Sequence, residues 1–216
     1  AIVVAERKPE IVDSQGVVNT PKNIADIIVK TTLTPLFSDE KFTEWDSYRI
    51  ADICCGSGNF LLSAYEFIIN RYIEYYMKNC LDMAIQKGLL ISDVGNNFKL
   101  SYEKKREILQ NNIWGVDIDI LAVEVAKFSL LIKLIEDSSL YEMESFVKNN
   151  NCRILPSLDN NIKNGNSLVD EKYIKFNSNI LNDSEMVEKI KIFNWENEFE
   201  GEKFDAIVGN PPYIRV

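Results

Sequence analysis

Asn210, Pro211, Pro212 and Tyr213 stand together directly after the short apolar run 204–208. The amide oxygen is a hydrogen-bond acceptor, the prolines hold φ at about −65° and restrict the backbone, and the tyrosine offers an aromatic face. At the carboxyl end of a strand, where open α/β sheets bind ligands, such a group suits a planar amine. An adenine amino group is a poor nucleophile because its lone pair is delocalised into the ring. A site acting on it must accept its hydrogens and stabilise positive charge as the nitrogen attacks a methyl donor. The Asn210 side-chain oxygen and the Pro211 carbonyl are acceptors suited to that task, and Tyr213 can stack on an extruded base. No general base is required before attack, which accords with a chain that has no histidine. The same absence excludes Ser/His and Cys/His nucleophile mechanisms. A rigid turn after a strand is the plainer alternative for these four residues.

Two further groups share the placement. Asp52, Gly56, Ser57 and Gly58 follow a short apolar run and open a long amphipathic one, so the glycines let backbone approach a ligand at a helix N-terminus. Alone, the group also fits a tight turn without a ligand. It lacks the full G-x-G-x-x-G pattern and no Gly-Lys-Ser/Thr follows, which disfavours an ATP phosphate cradle. Asp117 ends the next strand, beside that turn, where a carboxylate can accept both ribose hydroxyls. It lies about sixty residues beyond Gly58, against roughly twenty in dinucleotide folds, and an insertion explains the gap. Asp119 directly precedes a helix and reads as its cap.

The elements that must position these residues follow from periodicity. Thr20-Pro21 opens a helix with threonine as N-cap, proline at its first position, and Ile24, Ile27 and Ile28 as its apolar stripe. The run 49–54 reads as a buried strand, followed by the glycine turn and the helix from Asn59. The stretch 75–106 is polar and aromatic, broken at Gly88 and Gly95, and reads as an inserted helical subregion rather than another sheet unit. A strand at 113–116 and a helix at 120–135 form a second unit, with Ala122, Val125, Ala126 and Ser129 as a small-residue face. A third strand falls near 153–155 or 162–164, and the last covers 204–208. Alternating strands and helices imply a mostly parallel sheet with helices on both faces. The chain divides into an N-terminal helical segment, 1–48, and an α/β core, 49–216.

Composition sets the outer bounds. The 216 residues are 46% hydrophobic and 26% charged, ordinary for a globular domain with one core. Charges interrupt both long apolar stretches, 60–76 and 121–135, and the N-terminus lacks the pattern of a signal peptide, so no membrane association is expected. Four cysteines without a CxxC pair, and no histidine, point to a reduced cytoplasmic setting and to no metal site. With 24 basic against 33 acidic residues, the net charge of −9 argues against this segment gripping a phosphate backbone unaided.

The ordered set Thr20-Pro21, Asp52-Ile-Cys-Cys-Gly-Ser-Gly-Asn-Phe-Leu61, Gly115-Val-Asp-Ile-Asp119, Gly165-Asn-Ser-Leu168 and Phe204-Asp-Ala-Ile-Val-Gly-Asn-Pro-Pro-Tyr213 resembles the S-adenosylmethionine-dependent adenine-N6 DNA methyltransferases of restriction-modification and phage-defence systems. The resemblance covers nearly the whole chain and extends to Phe193-Asn-Trp-Glu-Asn-Glu-Phe199. It implies a Rossmann-like three-layer α/β/α sandwich and methyl transfer to adenine in double-stranded DNA. Carried over by position, Asn210, Pro211, Pro212 and Tyr213 are catalytic. Thr20, Asp52, Cys54, Gly56, Ser57 and Gly58 contact the amino-acid part of S-adenosylmethionine, and Asp117 its ribose. Asn166 and Leu168 border its adenine, and Asn59, Phe60 and Ile118 complete the cofactor set.

The chain departs from the family at Asn166, where aspartate is frequent, and at Ile53-Cys54, where proline and alanine are usual. In the family the sheet continues beyond the tetrad and a target-recognition domain follows. The chain is therefore expected to be a fragment, inactive in isolation and able to self-associate through an open sheet edge, with a nuclease domain or subunit as companion. Alternatives are methylation of protein glutamine or RNA guanine, since both families share the tetrad, and a non-catalytic cofactor-binding or assembly module.

Overall fold

The computed structural model describes residues 20–92, 97–170, 190–201 and 203–211. Helix α1 spans Lys22–Leu33, with Pro21 at the cap position and its carbonyl accepting the Ile24 and Ala25 amides at 3.0 and 3.1 Å. The threonine cap expected at the helix start does not form: no side chain caps α1. The expected apolar stripe is also on the wrong face, since Ala25, Val29 and Leu33 are buried while Ile27 is 65% exposed. Two apolar stripes run along this helix, and the one with the smaller residues at its start is the one packed inward.

A 3-10 segment, Asp39–Ser47, then carries Phe42 and Trp45 into an aromatic cluster with Phe37, Tyr72 and Tyr75. Strand β1 (Ile50–Asp52) is wholly buried and leads through the glycine turn into α2 (Asn59–Asn79). The inserted region contains more than helices. Between α3 (Leu81–Gln86) and α4 (Tyr102–Asn112) lie β2 (Leu90–Ser92) and β3 (Phe98–Leu100), an antiparallel pair forming its own small sheet. Leu90 and Leu100 are register partners and both buried, an apolar contact too short in sequence to show a period of two.

The chain returns to the main sheet with β4 (Ile113–Asp117), then α5 (Ile120–Ile135), α6 (Leu140–Asn150) and β5 (Ile162–Asn164). Of the two places considered for the third strand, 162–164 is therefore the one used. A one-turn helix α7 (Trp195–Glu198) precedes β6 (Ala206–Ile207). Sheet order is β5-β4-β1-β6, with every pairing parallel. The chain steps from β1 to β4 to β5 in one direction and returns to the other side of β1 for β6. That reversal makes the crevice beyond β1 and β6 the topological switch point, where α/β sheets bind ligands.

Helices α2 and α5 pack on one face. Gly115 of β4 lies against α2, since a Cβ there would stand 2.8 Å from Leu61 Cδ1. On α5 only Ala126 of the expected small-residue face is buried, beside Val123, Leu130 and Leu134; Val125 is exposed. Ala126 makes room for the glycine turn: a Cβ on Gly58, whose φ is +92°, would come within 3.1 Å of its methyl group. The other face of β4 presents Trp114 and Val116 to Phe193, Trp195, Phe199 and Phe204. Among the described residues, that layer is an aromatic segment with a single helical turn. No described helix is long and apolar enough to cross a membrane.

Candidate active site

Parallel register places four strand ends on one edge. Asp52 is level with Gly115, Asp117 with Asn164, and Ala51 with Ile207, so Asp52, Asp117, Asn166 and Asn210 all leave the sheet on the same side. The turn after β1 is tied to β4 as well as to itself. Cys55 donates its amide to the Val116 carbonyl at 3.0 Å, and Gly56 donates to Asp117 Oδ2 at 2.7 Å. The second oxygen, Asp117 Oδ1, accepts the Asp119 amide at 2.9 Å, and Asp119 in turn caps α5 through Leu121. Asp117 therefore braces two loops, with one lone pair on each oxygen already engaged.

Asp52 sits deeper. It is 1% exposed, and its Oδ1 accepts the Cys54 amide at 3.0 Å. Burial pushes its carboxyl up to about 7, and the nearby Asp117 charge adds to this, against the hydrogen bonds from Cys54. The same surroundings push the Cys54 thiol up to about 12, chiefly by burial and then by the Asp52 charge; burial raises Cys55 as well. Both thiols stay protonated at neutral pH and are poor nucleophiles. Gly209, one residue before Asn210, lies directly on Asp52: a Cβ there would stand 2.5 Å from its Oδ1. A glycine at 209 is what allows the tetrad backbone and the buried carboxyl to touch.

Asn210 donates from Nδ2 to the Thr20 hydroxyl at 3.2 Å, although the two lie 190 positions apart. Asn59, first residue of α2, donates from Nδ2 to the Thr20 carbonyl at 3.3 Å. Thr20 thus joins the glycine turn to the tetrad. Gly56 has open space where a Cβ would point, while Ser57 is half-buried in the turn and Phe60 is buried in the core. At the far end of the crevice, Asn166 Oδ1 accepts the Leu168 amide at 3.1 Å. Leu168 is 72% exposed and Ile118 is also exposed, so both offer apolar surface. Pro211 is exposed; Pro212 and Tyr213 lie outside the described residues.

Two contributors, Asn164 and Lys191, escape sequence reasoning. Asn164 holds the loop after β4 by donating to the carbonyls of Asp117 and Ile118 at 2.9 and 3.0 Å, and Lys191 reaches the Ile118 carbonyl at 2.9 Å. Gly165 accommodates Phe193, whose Cδ2 would lie 2.4 Å from an added Cβ. Gly165 opens the Gly165–Leu168 motif and Asn164 immediately precedes it, which is the signal that could have drawn attention to Asn164; Lys191 has none. Among the described residues, no group of three or more acidic or cysteine side chains is arranged to hold a metal ion.

Residues 111–216 match the model of the Eco57I restriction-modification methylase family. The chain is 36% identical over 214 residues to the type II restriction enzyme and methyltransferase RM.Eco57I of Escherichia coli, covering 98% of this chain and 19% of that protein. It is 34% identical over 128 residues to RM.MjaORFECS2P of Methanocaldococcus jannaschii, 58% of this chain and 9% of that protein. With the adenine-specific methyltransferase PglX of Streptomyces coelicolor it shares 26% identity over 212 residues, 93% of this chain and 15% of that protein. The chain therefore spans less than a fifth of the length of each of these relatives.

Proposed function

We propose that the chain, whose residues 111–216 match the model of the Eco57I restriction-modification methylase family, is a member of that family and carries the donor-binding and catalytic portion of an enzyme methylating the N6 amino group of adenine in double-stranded DNA. The proposal rests on one observation above the others. Because β6 lies beside β1, Gly209 packs on Asp52 and the tetrad opens next to the glycine turn. A methyl donor held at the turn and an amine held at the tetrad would be immediate neighbours.

The residues present fit S-adenosylmethionine. The donor set combines two carboxyls, Asp52 and Asp117, with open space over Gly56 and exposed apolar side chains at Ile118 and Leu168. These match, in order, a cationic amino-acid moiety with ribose hydroxyls, a close backbone approach, and a flat base. Bound there, S-adenosylmethionine would supply a methyl group made electrophilic by the sulfonium. Asp117 has lone pairs left for the ribose hydroxyls, and Ile118, Asn166 and Leu168 would border the adenine. Thr20 and the turn residues Asp52, Cys54, Gly56, Ser57, Gly58 and Asn59 would surround the amino-acid part, with Phe60 supporting the turn from the core. The Asn210 oxygen and Pro211 carbonyl would accept the two target amino hydrogens, easing positive charge on the nitrogen, while Pro212 and Tyr213 confine and stack the base. In the whole protein, a target-recognition region would contact DNA, a nuclease domain or subunit would accompany it, and the setting would be the cytoplasm.

The test uses the natural full-length protein and label transfer from S-adenosylmethionine to DNA, followed by nucleoside analysis. N6-methyladenine is the expected product, and Asn210→Ala lowers its formation by about 10²-fold or more while leaving donor binding intact. Label in protein glutamine or RNA guanine, or full turnover by Asn210→Ala, overturns the proposal.

A further inference from the structure

A second observation at the site concerns what holds Asn210 in place. The Asn210 amide nitrogen is bound to the Thr20 hydroxyl at 3.2 Å, and the Thr20 carbonyl accepts from Asn59 at 3.3 Å. Asn210 is thus held through its side chain by a residue that is itself tied to the start of α2. The structural cause is the packing of α1: its Ala25, Val29 and Leu33 lie on the core next to α2, with Lys22 of α1 paired to Glu66 of α2. That packing places the residue just ahead of α1 at the switch point. Thr20 has no capping duty there, because Pro21 occupies the cap position and no side chain caps the helix.

We propose that Thr20 is a positioning residue for Asn210, its hydroxyl anchoring the amide nitrogen so that the amide oxygen faces the target amine, in addition to any contact with the donor. A carboxamide is planar, with nitrogen and oxygen on opposite arms, so fixing Nδ2 fixes the direction of the Oδ1 lone pairs. Removing that anchor loosens a soft sp³–sp² torsion, so the oxygen is less closely directed at the amine. The anchor also couples the two halves of the site, since the residue tied to Asn59 at the start of α2 is the residue that orients the tetrad. This inference rests on the methyltransferase reading of Asn210.

The experiment compares Thr20→Val and Thr20→Ser in the natural full-length protein. Valine keeps the shape and removes the hydroxyl; serine restores it. Thr20→Val is expected to lower kcat about 10-fold, with the Kd for S-adenosylmethionine measured by calorimetry shifting less than about 3-fold, and Thr20→Ser to recover most of the rate. In an Asn210→Ala background, Thr20→Val should cost nothing further, because residues acting as a unit are non-additive. An unchanged kcat, a loss confined to donor affinity, or equal losses in valine and serine variants would each overturn the positioning role. These outcomes leave the methyltransferase reading standing, since that reading is overturned by different results: label in protein glutamine or RNA guanine, or full turnover by Asn210→Ala.

Discussion

Replacing Gly209 by alanine tests the contact on which the site depends. The new Cβ would stand 2.5 Å from Asp52 Oδ1 and 3.1 Å from its Cγ, against an ordinary contact of 3.4 Å or more. Something must therefore yield by about 1 Å. Asp52 is poorly placed to do so, being 1% exposed and bonded through the same oxygen to the Cys54 amide. Nor can the preceding residue move freely, because the Val208 amide is held on the Ala51 carbonyl at 2.9 Å. The displacement falls on the backbone between Val208 and Asn210, the link that sets the tetrad. Overpacking of this kind costs about 1–3 kcal/mol, and a shift of about 1 Å in a positioned group costs about 10²-fold in rate. In the natural full-length protein, Gly209→Ala should lower the urea midpoint to match that range and reduce methyl incorporation by about 10²-fold. A variant with the wild-type midpoint and turnover would show that Gly209 does not press on Asp52, and the adjacency argued for the site would be wrong.

Asp52→Asn bears on pH. The folded carboxyl is raised from 3.8 to about 7, so the folded protein binds the proton more tightly than the unfolded chain. This favours folding fully below pH 4 and is lost as pH rises towards 7, by up to about 4 kcal/mol in the donor-free protein. Denaturation series at pH 5 and pH 8 should therefore show a smaller pH dependence for Asp52→Asn than for the parent; identical dependence would refute the assignment. If a cationic donor binds beside Asp52, its affinity in the parent should strengthen between pH 6 and pH 8, with proton release detectable by calorimetry in buffers of different ionisation enthalpy. Asn112 is fully buried and donates from Nδ2 to the carbonyls of Trp45 and Tyr48 at 2.8 and 2.6 Å. Asn112→Ala removes both bonds, leaving the Trp45 carbonyl only the Tyr48 amide at 3.4 Å, and should cost about 1–3 kcal/mol by denaturant midpoint, with activity per folded molecule retained; a loss under about 0.5 kcal/mol would contradict this.

The placement of the candidate groups reads well from sequence where a group is local. Asp52, the glycine turn, Asp117 and the Asn210–Pro211 pair each lie within a few residues of a strand end, and backbone geometry there depends on near neighbours. Asp119 behaves the same way, capping α5 through the amide two residues on. Reading by periodicity fails at α1, where two apolar stripes compete and the choice is made by α2. It fails again on α5, where the small face matters only at Ala126, opposite Gly58. The β2–β3 pair escapes a periodicity reading because three-residue strands carry too little alternation to register.

The residues alone determine which chemistry is available: no imidazole, two carboxyls beyond strand ends, a backbone-exposing turn, and an acceptor pair on a rigid proline frame. They also imply the parallel α/β plan, since strand–helix alternation leaves few other arrangements. Tertiary structure decided what those groups do to one another. Strand order put β6 beside β1, which set Gly209 on Asp52; burial among the strand ends then raised that carboxyl to about 7. The packing of α1 brought Thr20 to an amide 190 positions away. Adjacency across the sheet and loss of water are properties of the assembled core, and no local run of sequence contains them.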